Sequence, residues 1–135
     1  SATFNQILEA GDILKGNQPH HKATRGFHAA IIMELTTGKW FTCEDIGRHN
    51  AVDKVIGYGL QNVYILSDSL MLLTGRLFSN IVQKGVNSGI AIIASLTVAT
   101  DRGIQIAKDS DTTIIGALSK EGSWLYHEGL TKVRT

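Results

Sequence analysis

The chain has 135 residues and a formal net charge of +1, with 43% hydrophobic and 19% charged residues. That is enough for one ordinary domain with a buried core, and the near-neutral balance excludes a global field for nucleic acid or a membrane surface, so any anion site must be local. No apolar run reaches transmembrane length, no secretory leader is visible, and the single Cys43 excludes an intrachain disulfide framework. These features fit a cytoplasmic protein. The opening Ser1-Ala2-Thr3 lacks an initiator methionine, so a fragment of something longer is expected.

Residues 3–14 read as a helix, with Phe4, Ile7, Leu8 and Ile13 near one face and Thr3 as its cap. Residues 15–24 carry Gly16, the only proline (Pro19) and the pair His20-His21, the composition of an exposed loop. Adjacent histidines can bind a metal, but no partner ligand stands at a suitable spacing, and a solvated pair is the better reading. Residues 27–35 and 39–46 flank Thr36-Thr37-Gly38 as a hairpin. His28 opens the first strand beside Ala29 and Ala30, which leave room near its imidazole; a strand-end histidine bonded to backbone is the commoner role. Cys43 shares a strand face with Phe41 and Asp45 and reads as a packed thiol, because nothing nearby lowers its pKa.

The chain is organised around the stretch from Glu44 to Lys54. It ends a strand, breaks at Gly47 and enters a helix near Asn50, with Asn50 as N-cap and Asp53 returning a bond from N3. Val52, Val55, Ile56 and Leu60 form one apolar stripe at helical spacing. Arg48 and His49 stand between strand and helix, where N–H groups point outward, a combination that favours an anion such as phosphate. A capped turn in which Arg48 and His49 hold neighbouring carboxylates or carbonyls explains the same residues.

Residues 63–66 then fit either a short strand or a packed connector. Residues 70–73 and 90–95 read as buried apolar strands, as at the centre of a parallel sheet. Between them Thr74-Gly75-Arg76 leads into a helix that presents Phe78, Ile81, Val82 and Gly85 at i, i+3, i+4 and i+7, and stops around 87–89. Thr100 or Asp101 caps a helix through Lys108, and residues 112–118 and 123–127 close the chain as strands. Strands alternating with helices require right-handed crossovers, so the expected fold is α/β: a three-layer α/β/α sandwich with a mixed, mainly parallel sheet. Ligands of such sheets bind beyond the carboxyl ends of the strands, where loops 47–50, 74–76 and 96–100 could meet. Two of these loops place an arginine at the mouth of a helix, which favours a phosphate-bearing ligand.

Phe27-His28-Ala29-Ala30, then Glu44-Asp45-Ile46-Gly47-Arg48-His49-Asn50-Ala51-Val52-Asp53-Lys54, then Thr74-Gly75-Arg76 and Val82-Gln83-Lys84 stand in order along the chain. Together they resemble the FdhD/NarQ family, the formate dehydrogenase accessory sulfurtransferases, over about residues 24–127. The resemblance implies a cytoplasmic sulfur carrier. Such a protein takes sulfur from a cysteine desulfurase and passes it to the molybdenum cofactor, Mo-bis(molybdopterin guanine dinucleotide), before that cofactor enters formate dehydrogenase. It also implies a homodimer, a cytidine-deaminase-like fold, and GDP as a mimic of part of the cofactor. Carried over by residue, cofactor binding falls on His28, Arg48, His49, Asn50, Thr74, Gly75 and Arg76, and on the turn Ala117, Leu118, Ser119, Lys120, Glu121, Gly122. That turn departs from the family pattern, where glycine and arginine are frequent near its end; Lys120 supplies the charge here, and an ordinary hairpin turn explains the composition equally well.

In the cytidine deaminase fold, zinc ligands come from the mouths of two successive helices. Here those mouths carry Gly47-Arg48-His49-Asn50 and Gly75-Arg76, and one cysteine cannot supply Pro-Cys-x-x-Cys, so no zinc is expected. The family carries its persulfide on a Cys-x-x-Cys loop that this sequence does not contain, and Cys43 does not match it. The chain therefore reads as a single carboxy-terminal cofactor-binding domain with no catalytic residue of its own and no nucleic-acid or membrane partner. The alternative is a cytidine-deaminase-like hydrolase or a plain nucleotide-binding module, and stoichiometric zinc would favour the hydrolase.

Overall fold

The computed structural model describes residues 2–17 and 27–134. Pro19 and the His20-His21 pair, expected in an exposed loop, lie outside the described residues. In chain order the elements are β1 (Ala2–Thr3), α1 (Phe4–Gly16), β2 (His28–Glu34), β3 (Trp40–Asp45), α2 (Arg48–Gln61), a short 3₁₀ turn (Leu66–Asp68), β4 (Ser69–Leu73), α3 (Ser79–Asn87), β5 (Ile92–Ser95), α4 (Asp101–Asp109), β6 (Thr113–Ser119), β7 (Gly122–His127) and β8 (Val133–Arg134).

Six strands form one mixed sheet in the order β3-β2-β4-β5-β6-β7. Its centre, β4-β5-β6, is parallel. Antiparallel partners extend it on both sides, because β2 pairs antiparallel with both β3 and β4, and β7 folds back on β6. The two apolar strands expected at the centre are there, and every residue of β4 and β5 is buried. Helices cover both faces. α1 buries Ile7, Ala10 and Leu14 against Ile31, Leu70, Leu72, Ile92 and Ile115. On the other face α2, α3 and α4 contribute Val52, Val55, Ile81, Val82 and Ala107, packed on Ile32, Met71, Leu73, Ile93 and Ile114. The alternation along β4 and β5 sends successive side chains to opposite helical layers. The result is the expected three-layer α/β/α arrangement. A separate two-stranded piece pairs β1 with β8 in parallel.

α1 begins as its sequence suggests: the Thr3 hydroxyl accepts the Gln6 N–H at 3.2 Å, and the Gln6 side chain accepts the Thr3 N–H at 2.9 Å, a reciprocal capping box. The helix runs to Gly16, two residues beyond the expected end, so Lys15 and Gly16 belong to its last turn rather than to a loop.

α2 departs from expectation in three respects. Its N-cap is Gly47 rather than Asn50. The Asp45 carboxylate accepts the Gly47 N–H at 2.9 Å and so turns the chain early, which brings Arg48 and His49 into the first helical turn. Asn50 instead donates to Asp45 at 3.3 Å, and Asp53 accepts from Lys84 at 2.8 Å rather than returning to the cap. Leu60 is off the apolar stripe and 64% exposed; Gly59 takes the core position, where an added Cβ would lie 3.0 Å from the Ile32 side chain. Residues 63–66 are not a strand: 63–65 form a connector, and Leu66 opens the 3₁₀ turn.

Candidate functional site

The register places one set of loops at one end of the sheet. His28 at the start of β2 faces Asp45 at the end of β3, and Ala30 faces Leu73 at the end of β4. Because β5 and β6 run parallel to β4, their carboxyl ends share this edge. The entry to α2, the 74–76 loop, the 95–100 loop and the 117–122 turn therefore gather there, as expected for ligand sites in α/β sheets.

Arg48 and Arg76 meet through a third residue. The Arg48 guanidinium carbon lies 4.4 Å from the centre of the Phe78 ring, and that of Arg76 lies 5.3 Å from the same ring. Phe78 does not continue the apolar stripe of α3 as its spacing suggests. It is the N-cap of that helix, half-buried and in extended backbone conformation, which releases its ring to face the two cations. Each such contact is worth about 0.5–1 kcal/mol at an exposed position. Among the described residues neither guanidinium forms a salt bridge or hydrogen bond, and the buried Nε of Arg48 has no partner. Two unneutralised guanidiniums held on one ring repel each other, and a bound anion relieves both that repulsion and the orphaned donor.

The neighbouring groups are fixed by backbone. Thr74 extends the β2–β4 ladder: its N–H donates to the Ala29 carbonyl at 3.1 Å, and its hydroxyl accepts the Ala29 N–H at 3.1 Å. Gly75 faces His28, and a Cβ there would lie 3.3 Å from the imidazole Nδ1, so glycine is what lets the loop approach. His49 is half-buried in the first turn of α2, and its imidazole makes no hydrogen bond, ion pair or ring contact among the described residues. The segment Ala117 to Gly122 is a hairpin turn closing on the Ser119–Gly122 pair, and its Lys120 and Glu121 are exposed. Ala117, with φ +51°, donates its N–H to the Thr97 carbonyl, which ties this turn to the loop after β5. The structure thus brings Arg48, Arg76 and the His28–Gly75 contact to one edge and places the 117–122 turn beside the next loop. Asn50 serves Asp45 instead.

Asp45 is a structural anchor that the sequence did not single out. Its carboxylate accepts from Lys54 at 2.6 Å as well as from Gly47, and the Lys54 bond is the main reason its pKa is lowered to about 2. The same bond raises Lys54. The Cys43 thiol is half-buried and donates to the Ala51 carbonyl at 3.8 Å; burial pushes its pKa up, away from the thiolate that sulfur chemistry uses. Among the described residues no group of three or more His, Cys, Asp and Glu side chains is placed to hold a metal ion, and no helix is long and apolar enough to cross a membrane. A cavity of about 260 Å³ opens at the opposite end of the sheet, near Asp111, away from the arginines.

Comparison with known proteins agrees with the motifs. The model of the FdhD/NarQ family matches residues 1–131. Protein FdhD of Methanocaldococcus jannaschii is 44% identical over a stretch covering 69% of this chain and 41% of its own length. The sulfur carrier protein FdhD of Sulfurisphaera tokodaii is 42% identical, with 83% of this chain and 44% of that protein covered. The chain thus spans less than half the length of these curated relatives. A crystal structure from Desulfotalea psychrophila, assigned as a formate dehydrogenase accessory protein, superposes with a TM-score of 0.84 at 31% identity, covering 93% of this chain and 54% of that one. A more distant structure, of a protein crystallised with 8-azaguanine, has a TM-score of 0.61 at 12% identity over 83% of this chain and 77% of that one, which speaks to the fold alone. With its motifs in register, its fold shared and its family model matched almost end to end, the chain belongs to the FdhD/NarQ family.

Proposed function

We propose that this chain is the part of a formate dehydrogenase sulfur carrier that binds the acceptor of the sulfur, Mo-bis(molybdopterin guanine dinucleotide), by its guanine nucleotide phosphates. The names of the relatives support the carrier role. The single observation that carries the binding role is the Arg48–Phe78–Arg76 cluster, with its unpartnered Arg48 Nε, at the carboxyl edge of the sheet. A diphosphate offers several charged oxygens to two bidentate donors, and the N-termini of α2 and α3 add fixed positive ends. The cofactor here is cargo: the chain's residues hold and orient it, while sulfur arrives as a persulfide loaded by a cysteine desulfurase. Cys43 does not match the Cys-x-x-Cys loop on which the family carries its persulfide, and burial raises its pKa, away from the thiolate that a carrying thiol needs. Homodimerisation, a cytoplasmic location and delivery to formate dehydrogenase belong to the same proposal. So does a cytidine-deaminase-like ancestry in which an anion pocket stands where the zinc would be.

The test separates loading from delivery. In the full-length protein, Arg48→Ala with Arg76→Ala should accept labelled sulfur from the desulfurase as well as wild type does, yet fail to pass it to the cofactor. Undiminished delivery by the double variant would refute the binding role of the arginines.

A further inference from the structure

β5 is apolar and buried along its length except for its last residue, Ser95, whose side chain is also fully buried. A hydroxyl in such a place is costly unless its hydrogen-bonding capacity is used. Here it is used. The Ser95 Oγ donates to the Gly75 carbonyl at 2.6 Å, accepts the Thr97 N–H at 2.9 Å, and lies 3.1 Å from the Thr97 Oγ1. The Gly75 carbonyl lies just before Arg76, where the β4–β5 ladder has ended with the Leu96 N–H on the Leu73 carbonyl. The Ser95 side chain therefore continues the pairing one step past the sheet. On the far side of Arg76, the Leu77 N–H donates to the Val98 carbonyl at 3.0 Å, and the Leu77 carbonyl accepts the Thr100 N–H at 3.1 Å. Arg76 is thus held between two points, one fixed by the last residue of β5 and the other by the loop that follows it. The same loop accepts the Ala117 N–H at the Thr97 carbonyl.

We infer that Ser95 is a positioning residue for phosphate recognition: its buried hydroxyl fixes the backbone from which Arg76 reaches the Phe78 ring and the anion. This rests on the phosphate-binding reading above. Without the Ser95 hydroxyl, the Gly75 carbonyl loses its donor and the 74–76 loop is released on one side, so the Arg76 guanidinium is no longer pre-set. Ser95 does not itself meet the ligand.

The experiment is calorimetry of the chain with GDP and with guanosine, on wild type, Ser95→Ala, Arg76→Ala and the double variant, with thermal melts alongside. Ser95→Ala should weaken GDP about five- to tenfold, the scale of one hydrogen bond, and leave guanosine affinity unchanged. In the Arg76→Ala background the same change should cost less than about twofold, because the residue it acts through is gone. Ser95→Cys, whose thiol is a weaker donor, should give an intermediate loss, and remains readable if Ser95→Ala fails to fold. Equal weakening of both ligands, or a full loss persisting without the Arg76 side chain, would overturn the role of Ser95 while leaving phosphate binding intact. Unchanged GDP affinity in Arg76→Ala would instead remove the phosphate reading, and this inference with it.

Discussion

Arg48, in the first turn of α2, stacks its guanidinium 4.4 Å from the centre of the Phe78 ring, which caps α3. The contact joins two helix entries that come from different strands, and Arg76 approaches the same ring at 5.3 Å. One uncharged side chain thereby sets the spacing of two charges. Phe78→Leu should weaken GDP binding about five- to thirtyfold, from the loss of two contacts of about 0.5–1 kcal/mol each, whereas Phe78→Tyr should stay near wild type. Calorimetry decides it, and wild-type affinity in Phe78→Leu would mean that the ring does not place the guanidiniums.

Cys43 is expected to be a packing residue. Burial raises its pKa first and foremost, with Asp45 and Glu44 pushing the same way and Lys54 opposing. A raised thiol pKa favours the folded state while the thiol stays protonated, and that contribution is lost as pH rises through the folded value. Alkylation of the native chain at pH 8 should therefore be slower than alkylation of an unfolded control. Cys43→Ser in the full-length protein should leave persulfide loading intact and cost roughly 1 kcal/mol of stability. Loss of persulfide labelling in a folded Cys43→Ser protein is the contrary result.

The Asp45–Lys54 pair gives the α2 entry a pH dependence with a defined sign. Asp45 is lowered from 3.8 to about 2, so the unfolded chain takes up its proton at a higher pH than the folded chain does. Its stabilising contribution is complete above the unfolded value near pH 4 and disappears as pH falls towards 2. Lys54, raised by the same bond, contributes fully below its ordinary value and loses that contribution only in strong alkali. The melting temperature of Asp45→Asn should lie below that of wild type at pH 6, and the two should converge near pH 2. A gap that persists at pH 2 would assign the effect to packing rather than to charge.

Much of this site was legible because the strand-and-helix pattern alone places residues 47–50, 74–76 and 96–100 at one edge of a sheet, whereas the 117–122 turn is implied only by the family resemblance. The details that escaped are those in which a distant partner competes with local preference. Asn50 is a better N-cap than Gly47 by type, but the Asp45 carboxylate captures the Gly47 N–H and starts the helix early. Leu60 fits the core stripe by hydrophobicity, yet Gly59 is the residue that faces β2, where an added Cβ would crowd the Ile32 side chain at 3.0 Å. Phe78 fits an apolar stripe by spacing, and nothing in a linear pattern shows that two arginines from separate loops will use its ring. Ser95 falls inside a stretch that reads as a buried apolar strand, and nothing in the linear pattern singles it out. Its partner, the Gly75 carbonyl, is visible only once β4 and β5 lie side by side.

The central claim is that Arg48 and Arg76 bind one phosphate group pair, and GDP against guanosine measures it most directly. The two ligands share base and ribose and differ only in the diphosphate, so their affinity ratio isolates the charged contacts. Charge-assisted bonds contribute on the order of 1.5–3 kcal/mol each, which places GDP at least about tenfold tighter on the wild-type chain. Arg48→Ala and Arg76→Ala should each reduce that ratio by about tenfold, and Arg76→Lys should restore only part of it, since a point charge cannot reproduce a bidentate fork. Equal affinities for GDP and guanosine on the wild type, or a ratio that survives both alanine substitutions, would contradict the account.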